Sequence, residues 1–329
     1  MRRSASRHTV LFATALAAPM LALSTSSIAQ DYPSRPIRFI VPFPPGGGTD
    51  LHARTVQPKL SEALRQQIVI DNRSGAGGML GAELAARAAP DGYNIWIGQT
   101  ANLGIGPALR KKPPYDPLTD FVMITPIQKA SSVVVVAPSS PLKTIPDLVA
   151  YARKNAQGTT YASAGIGTGG HINGVLLNKV AGIDMTHVAY KGASPAMVDL
   201  QAGRVTVMFT SIGSSAGMIR QGKIRALATT GLKRARALPD VPSIAEQGYP
   251  DFQVNTWTAI MVPAKTPEHV SVRLNKELMQ ILKLRELEER LSMEGGEVSP
   301  MTLQEAAAFF RSEVAVWKQR VKDANLPVE

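Results

Sequence analysis

Three glycine-rich segments hold the residues whose types and spacing could do chemistry. They are Pro44-Pro45-Gly46-Gly47-Gly48-Thr49-Asp50, Ser74-Gly75-Ala76-Gly77-Gly78 and Ser163-Ala164-Gly165-Ile166-Gly167-Thr168-Gly169-Gly170-His171. Each falls between a short apolar run and a helical pattern. Glycine lets a backbone approach a ligand closely, and the helix that follows offers unpaired N–H groups and the positive end of its dipole. Junctions of this kind suit a carboxylate or a phosphate. The plainer reading is that they are tight strand-to-helix turns.

Nucleotide and hydrolase motifs can be tested against these loops. None carries the Lys-Ser/Thr pair of a phosphate-binding P-loop. Gly165, Gly167 and Gly170 match G-x-G-x-x-G, but the next strand ends at Tyr190-Lys191 with no acid to hold a ribose, and Asp184 precedes it. Ser163, His171 and Asp199 are the ingredients of a hydrolytic triad, yet Tyr161 stands where a nucleophile elbow needs glycine. A secreted hydrolase using Ser163 and His171 is thus the enzymatic alternative to a binding protein with no catalytic residues. His171 reads as a helix-start donor to an anion or as a cap. His52, His187 and His269 lack metal-ligand spacing and read as packing or surface residues. No metal or cofactor is expected. Asp50 is an acid in a first helical turn or a contact for a ligand amino group. In Tyr190-Lys191-Gly192-Ala193-Ser194-Pro195, Lys191 reaches either a cleft or solvent, and Ser194-Pro195 resembles an ordinary N-cap.

Hydrophobic periodicity supplies the elements that must position these loops. Strands are predicted over 37–41, 68–70 and 95–98, with helices over 50–64 and 78–88 between them. A second alternating series follows Thr125-Pro126: strands over 133–136, 161–163, 187–189, 205–209 and 226–229, helices over 145–155, 171–180 and 195–201. Alternation of this kind implies βαβ units and parallel sheets, here in two α/β lobes. The tail is extended over 254–262 and then helical. Leu274, Leu278 and Ile281 share a face, Gly295-Gly296 stops the next helix, and Thr302 with Glu305 forms a capping box. Phe310, Val314, Trp317 and Val321 form the last buried stripe. Such a tail packs back on the first lobe, with crossings near 125–132 and 251–257.

Composition bounds the class. Arg2, Arg3 and Arg7, an apolar run over 9–23 and Ser27-Ile28-Ala29 have the pattern of a cleavable signal peptide. The run is shorter than the ~20 residues of a spanning helix, and Arg2-Arg3 leaves the general and twin-arginine export routes both open. The chain has no cysteine, which excludes disulfides, thiol chemistry and an N-terminal lipid anchor. Without its first 29 residues it keeps 33 basic and 25 acidic residues, a charge of +8. That surface attracts anions. Export, scattered Lys and Arg, and only 5% aromatics argue against nucleic acid.

The chain resembles the Bug-type extracytoplasmic solute-binding receptors of tripartite tricarboxylate transporters along essentially its whole mature length. The resemblance is carried by Tyr32-Pro33-Ser34-Arg35-Pro36, Val41-Pro42-Phe43 with Gly46 to Asp50, Asn72-Arg73 with Gly75 to Gly78, and Pro90-Asp91-Gly92-Tyr93. Tyr161 to Gly165, His187 to Gly192 and Val241-Pro242-Ser243 continue it. It implies a two-lobe periplasmic-binding-protein (Venus flytrap) fold with two parallel-type sheets flanked by helices. Residues 1–29 would be the signal peptide, 30–128 with 254–329 a discontinuous first lobe, and 129–253 the second. It further implies a monomeric periplasmic receptor that delivers an organic acid to membrane permease subunits or presents it to a sensor kinase. The family's ligand contacts, transferred by position, fall on Phe43, Gly46, Gly47, Gly48 and Thr49; on Gly75, Ala76, Gly77 and Gly78; and on Thr100, Ala101 and Asn102. In the second lobe they fall on Ser163, Gly167, Thr168, Gly169, His171, Ala193 and Ser194. One departure is Thr210 after Met208-Phe209, where relatives commonly carry an acid; it turns the site away from amino-acid ligands. Gly169-Gly170 replaces bulkier residues and widens the pocket.

Overall fold

The computed structural model describes residues 32–323 except 157 and 294, together with 326 and 328. The expected signal segment lies outside the described residues. Strand β1 (Ile37–Val41) is almost wholly buried, as its unbroken apolar run requires when helices cover both faces of a sheet. It pairs in parallel with β2 (Ile68–Asn72) on one side and β3 (Asn94–Gln99) on the other. Helix α1 (Gly48–Leu64) starts two residues before the predicted point, because Gly47 takes an extended conformation as its N-cap. Helix α2 (Met79–Ala86) follows β2, and short turns α3 (Gly106–Ala108) and α4 (Pro117–Asp120) follow β3.

The 16-residue β4 (Phe121–Val136) replaces the short strand predicted at 133–136. Its first part pairs with β9 (Asn255–Pro263) and β10 (Gly296–Val298); from Ser132 onward it pairs with β7 (Val207–Ser211) and β8 (Arg225–Thr229). One strand therefore runs through both halves. Pro126, with no N–H to give, sits at a register irregularity of the β4–β9 ladder. The sheets are mixed rather than parallel throughout. β5 (Thr160–Ser163) joins β6 (Thr186–Ala189) and β7 in parallel through helical crossovers, whereas β4 carries the chain into the second half and β9 carries it back, so those two run antiparallel.

The second half holds α5 (Ile145–Lys154), α6 (Gly169–Ala181), α7 (Ala193–Gln201) and α8 (Ile212–Arg220), the last of which periodicity did not reveal. In α5 the Thr144–Asp147 capping box fixes the start, and Ile145, Leu148, Val149 and Ala152 are buried on one face. Each large side chain buried in this way contributes about 1.5–3 kcal/mol. Helices α9 (Glu268–Ile281), α10 (Arg285–Met293) and α11 (Leu303–Asp323) form the tail. The Thr302–Glu305 capping box is present. Ala306 and Phe310 of α11 pack with Trp96 and Trp257, whereas Trp317 and Val321 join a core with Val134, Tyr161 and Phe209. No helix among the described residues is long and apolar enough to cross a membrane.

Candidate functional site

Four helices begin around one cavity of about 110 Å³. Gly47 and Thr168, the N-caps of α1 and α6, and Ser211, the N-cap of α8, line it, as do Ala193 and Ser194 of the first turn of α7. The starts of α1, α6 and α7 have no side-chain cap. Their first-turn amides are therefore donors that the protein's own side chains leave for something else. Only at α8 does a side chain intervene, Ser211 accepting from the Ser214 N–H. Hydroxyls of Ser131, Ser132, Thr210 and Thr258 add further donors to the walls.

The cavity lining contains no Lys, Arg, Asp or Glu. Its one titratable side chain, His52, is pushed down to about 4 by burial and is neutral at physiological pH. Gln128 hydrogen-bonds His52, and Thr258 Oγ1 lies 3.2 Å from His52 Nδ1. An anion here is held by dipoles and hydroxyls alone. Phe43, Phe209 and Trp257 supply the apolar parts of the wall.

A second cavity, about 320 Å³, abuts the first and shares Phe43, Pro44 and Ala164 with it. The Gly75, Ala76, Gly77 and Gly78 loop forms one side, and the loop of Gly165 and Ile166 another. Ala76, Gly77 and Gly78 all have positive φ (48°, 66° and 90°), which is why this turn is built almost entirely from glycine.

The expected site residues thus separate into layers. Phe43, Gly47, Gly48, Thr49, Thr168, Gly169, Ala193, Ser194 and Thr210 reach the first cavity, and the Gly75–Gly78 loop reaches the second. Gly46, Thr100, Ala101, Asn102, Ser163, Gly167 and His171 line neither. Three of them bond the surrounding structure: the Gly46 N–H donates to Asp50 Oδ2 (2.9 Å), Thr100 Oγ1 accepts from the Trp257 N–H (2.9 Å), and Asn102 Oδ1 accepts from the Gln99 N–H (3.0 Å). Asp50 also takes bonds from Arg54 and Asn72. Burial works to raise its pKa, but these partners outweigh it and hold the carboxyl below its usual range. It is a girder of the β1–α1 loop.

Ser163 does not meet His171. Its Oγ lies 2.7 Å from His187 Nε2, and the Gly167 N–H donates to His171 Nδ1. The two imidazoles stack at 4.2 Å and burial depresses both, to about 4 for His171 and about 3 for His187. Asp199 is engaged by Tyr190 and Arg204. The Ser163/His171 pair of the hydrolase alternative is not formed in this structure: Ser163 is fully buried and bonds His187. Sequence reasoning missed Gln99, Gln128, Ser131, Ser132, Ser211 and the Thr256–Thr258 stretch. Apart from Ser211 they belong to β3, β4 and β9 and have no loop signature.

Two α/β sheets joined by crossing strands, with helix starts turned toward a shared gap, define a solute-binding protein of the periplasmic type. Residues 52–326 match the model of the tripartite tricarboxylate transporter family receptor, and the chain belongs to that family. It is 39% identical to the UPF0065 protein in the tcbD–tcbE intergenic region of Pseudomonas sp. (strain P51), over 94% of each chain. Among solved structures it is similar to the periplasmic binding protein BugD (35% identity, TM-score 0.85, covering 90% of this chain and 99% of that one). It is also similar to Rpa4515 of R. palustris with adipate (32% identity, TM-score 0.86, covering 89% and 98%).

Proposed function

We propose that the chain is a periplasmic receptor that closes two lobes, residues 30–128 with 254–329 and residues 129–253, on one small organic carboxylate and delivers it to a membrane permease. The observation that carries this reading is the convergence of the α1, α6 and α7 starts, uncapped by side chains, on the first cavity. Helix-start amides and their dipoles favour an anion, and a polar wall with no fixed charge admits one without a competing acid. α1 belongs to one proposed lobe, and α6, α7 and α8 to the other. A ligand that touches both binds the closed form best and so shifts the population toward it. Rpa4515, of the same fold at 32% identity, holds adipate. Thr210 in place of an acid removes a partner for a ligand ammonium group, which favours simple acids over amino acids.

Native mass spectrometry of freshly purified protein, followed by calorimetric titration with mono- and dicarboxylates and acidic amino acids, tests the reading. The expected result is one-to-one binding of at least one simple carboxylate. Absence of stoichiometric binding to any organic acid overturns it.

A further inference from the structure

Three polar side chains in the wall of the first cavity bond one another. In the β4–β9 ladder Gln128 stands directly opposite Thr258, so both side chains lie on one face, where they reach His52 of α1. All three are buried and all three line the cavity. Gln128 Nε2 meets His52 Nε2, more closely than it does Nδ1 (3.4 Å), and Thr258 Oγ1 lies 3.2 Å from His52 Nδ1. Room for the Gln128 amide comes from β10, where a side chain on Gly296 would collide with it.

These contacts fix where the imidazole carries its proton. An amide nitrogen only donates, so His52 Nε2 must accept, and the hydrogen of the neutral ring sits on Nδ1. From there it is donated to Thr258 Oγ1. With that lone pair taken, the Thr258 hydroxyl keeps its own hydrogen for the cavity it lines. The reversed amide would present Gln128 Oε1 to the ring and leave Thr258 only lone pairs to offer a ligand. That arrangement would strand a buried NH₂ group, whereas in the one present the atom without a partner among the described residues is an acceptor, Oε1. An orphaned acceptor costs less than orphaned N–H donors. We infer that Gln128 and His52 are positioning residues that hold the Thr258 hydroxyl as a donor into the cleft, so that this wall accepts a carboxylate oxygen and disfavours an ammonium or carboxamide N–H. The inference rests on the carboxylate-receptor reading above and adds what selects the anion at this wall.

The test begins with the full chain labelled on its histidine nitrogens and read by long-range proton–nitrogen correlation at neutral pH, with His52→Gln identifying the His52 signal. The expected form is the Nδ1–H tautomer. An Nε2–H tautomer overturns the inference and leaves the receptor reading intact. Calorimetric titration follows, with adipate as the probe or, where adipate does not bind, the simple carboxylate found by the titration above. Thr258→Val is expected to weaken binding about tenfold, the value of one hydrogen bond to a charged group, and Thr258→Ser to restore it. Gln128→Met should weaken binding in the wild-type background and add nothing in Thr258→Val, because Gln128 acts only through that hydroxyl. Equal losses in both backgrounds, or unchanged affinity in Thr258→Val, overturn the inference. If Gln128→Met does not fold, the tautomer and the two Thr258 variants decide. A wild type that binds no organic acid ends the receptor reading, and the role given to Thr258 with it.

Discussion

Gly48 shows how closely the two halves approach at the first cavity. It needs no positive φ, and as the first residue of α1 it would on helix propensity alone be improved by alanine, by up to about 1 kcal/mol. A Cβ there, however, would stand 2.6 Å from Ser211 Oγ across the cleft. Ser211 can turn its hydroxyl away only by giving up the N-cap of α8. Gly48→Ala is therefore expected to leave the unliganded melting temperature unchanged or slightly raised, while weakening carboxylate affinity about tenfold by resisting closure. Differential scanning fluorimetry and titration separate the two effects, and Ser211→Gly should restore part of the affinity. Equal loss of stability and binding would mean that Gly48 matters for folding of the loop alone. The glycine loops were legible in the sequence because glycine clusters at strand-to-helix junctions have few uses. Gln128, Ser131 and Thr258 were not, because they reach the cavity through the pairing of β4 with β9, which leaves no local mark.

At the scale of elements, β4 and α11 both span regions that periodicity treats separately. The short strands and most helices were readable from apolar spacing, since each is a local pattern with its own start and stop signals. β4 was cut short in that reading because Pro126 looks like a terminator, and only the register irregularity shows how a sheet absorbs it. The tail was read as a stripe facing one partner, whereas α11 divides its buried face between two cores. Trp317, fully buried, lies over Gly104 and donates its indole N–H to Glu313 Oε2, which also accepts from Trp257 of the cavity wall. Trp317→Ala is expected to cost about 3–5 kcal/mol, as for other buried tryptophans, with Trp317→Phe costing much less. Urea denaturation followed by far-UV circular dichroism checks this. A loss below about 1 kcal/mol would show that the end of α11 packs elsewhere in solution.

For the molecule as a whole, three histidines govern the response to acid. Burial lowers His52 and His171 to about 4 and His187 to about 3, the charge on His171 adding to the last. In the unfolded chain each returns to its ordinary value of about 6.5. Below that pH the unfolded state takes up protons that the folded state refuses, so stability is complete above about pH 6.5 and drains away as pH falls toward 4. The slope is about 1.4 kcal/mol per pH unit for each proton taken up. Asp50 and Asp71 act in a separate window. Their folded pKa values are depressed by their bonding partners, so their contribution is lost only at more acidic pH, below the ordinary carboxylate value of about 4. Urea midpoints of the unliganded protein are therefore expected to decline steadily between about pH 6.5 and 4.5, before the carboxylates titrate. In His187→Gln the decline should be shallower by one proton, because the amide can keep the bond to Ser163 without titrating. Midpoints that stay level across this range would mean that the stacked imidazoles accept protons in the folded state. The cleft wall behind α6 would then be open to water.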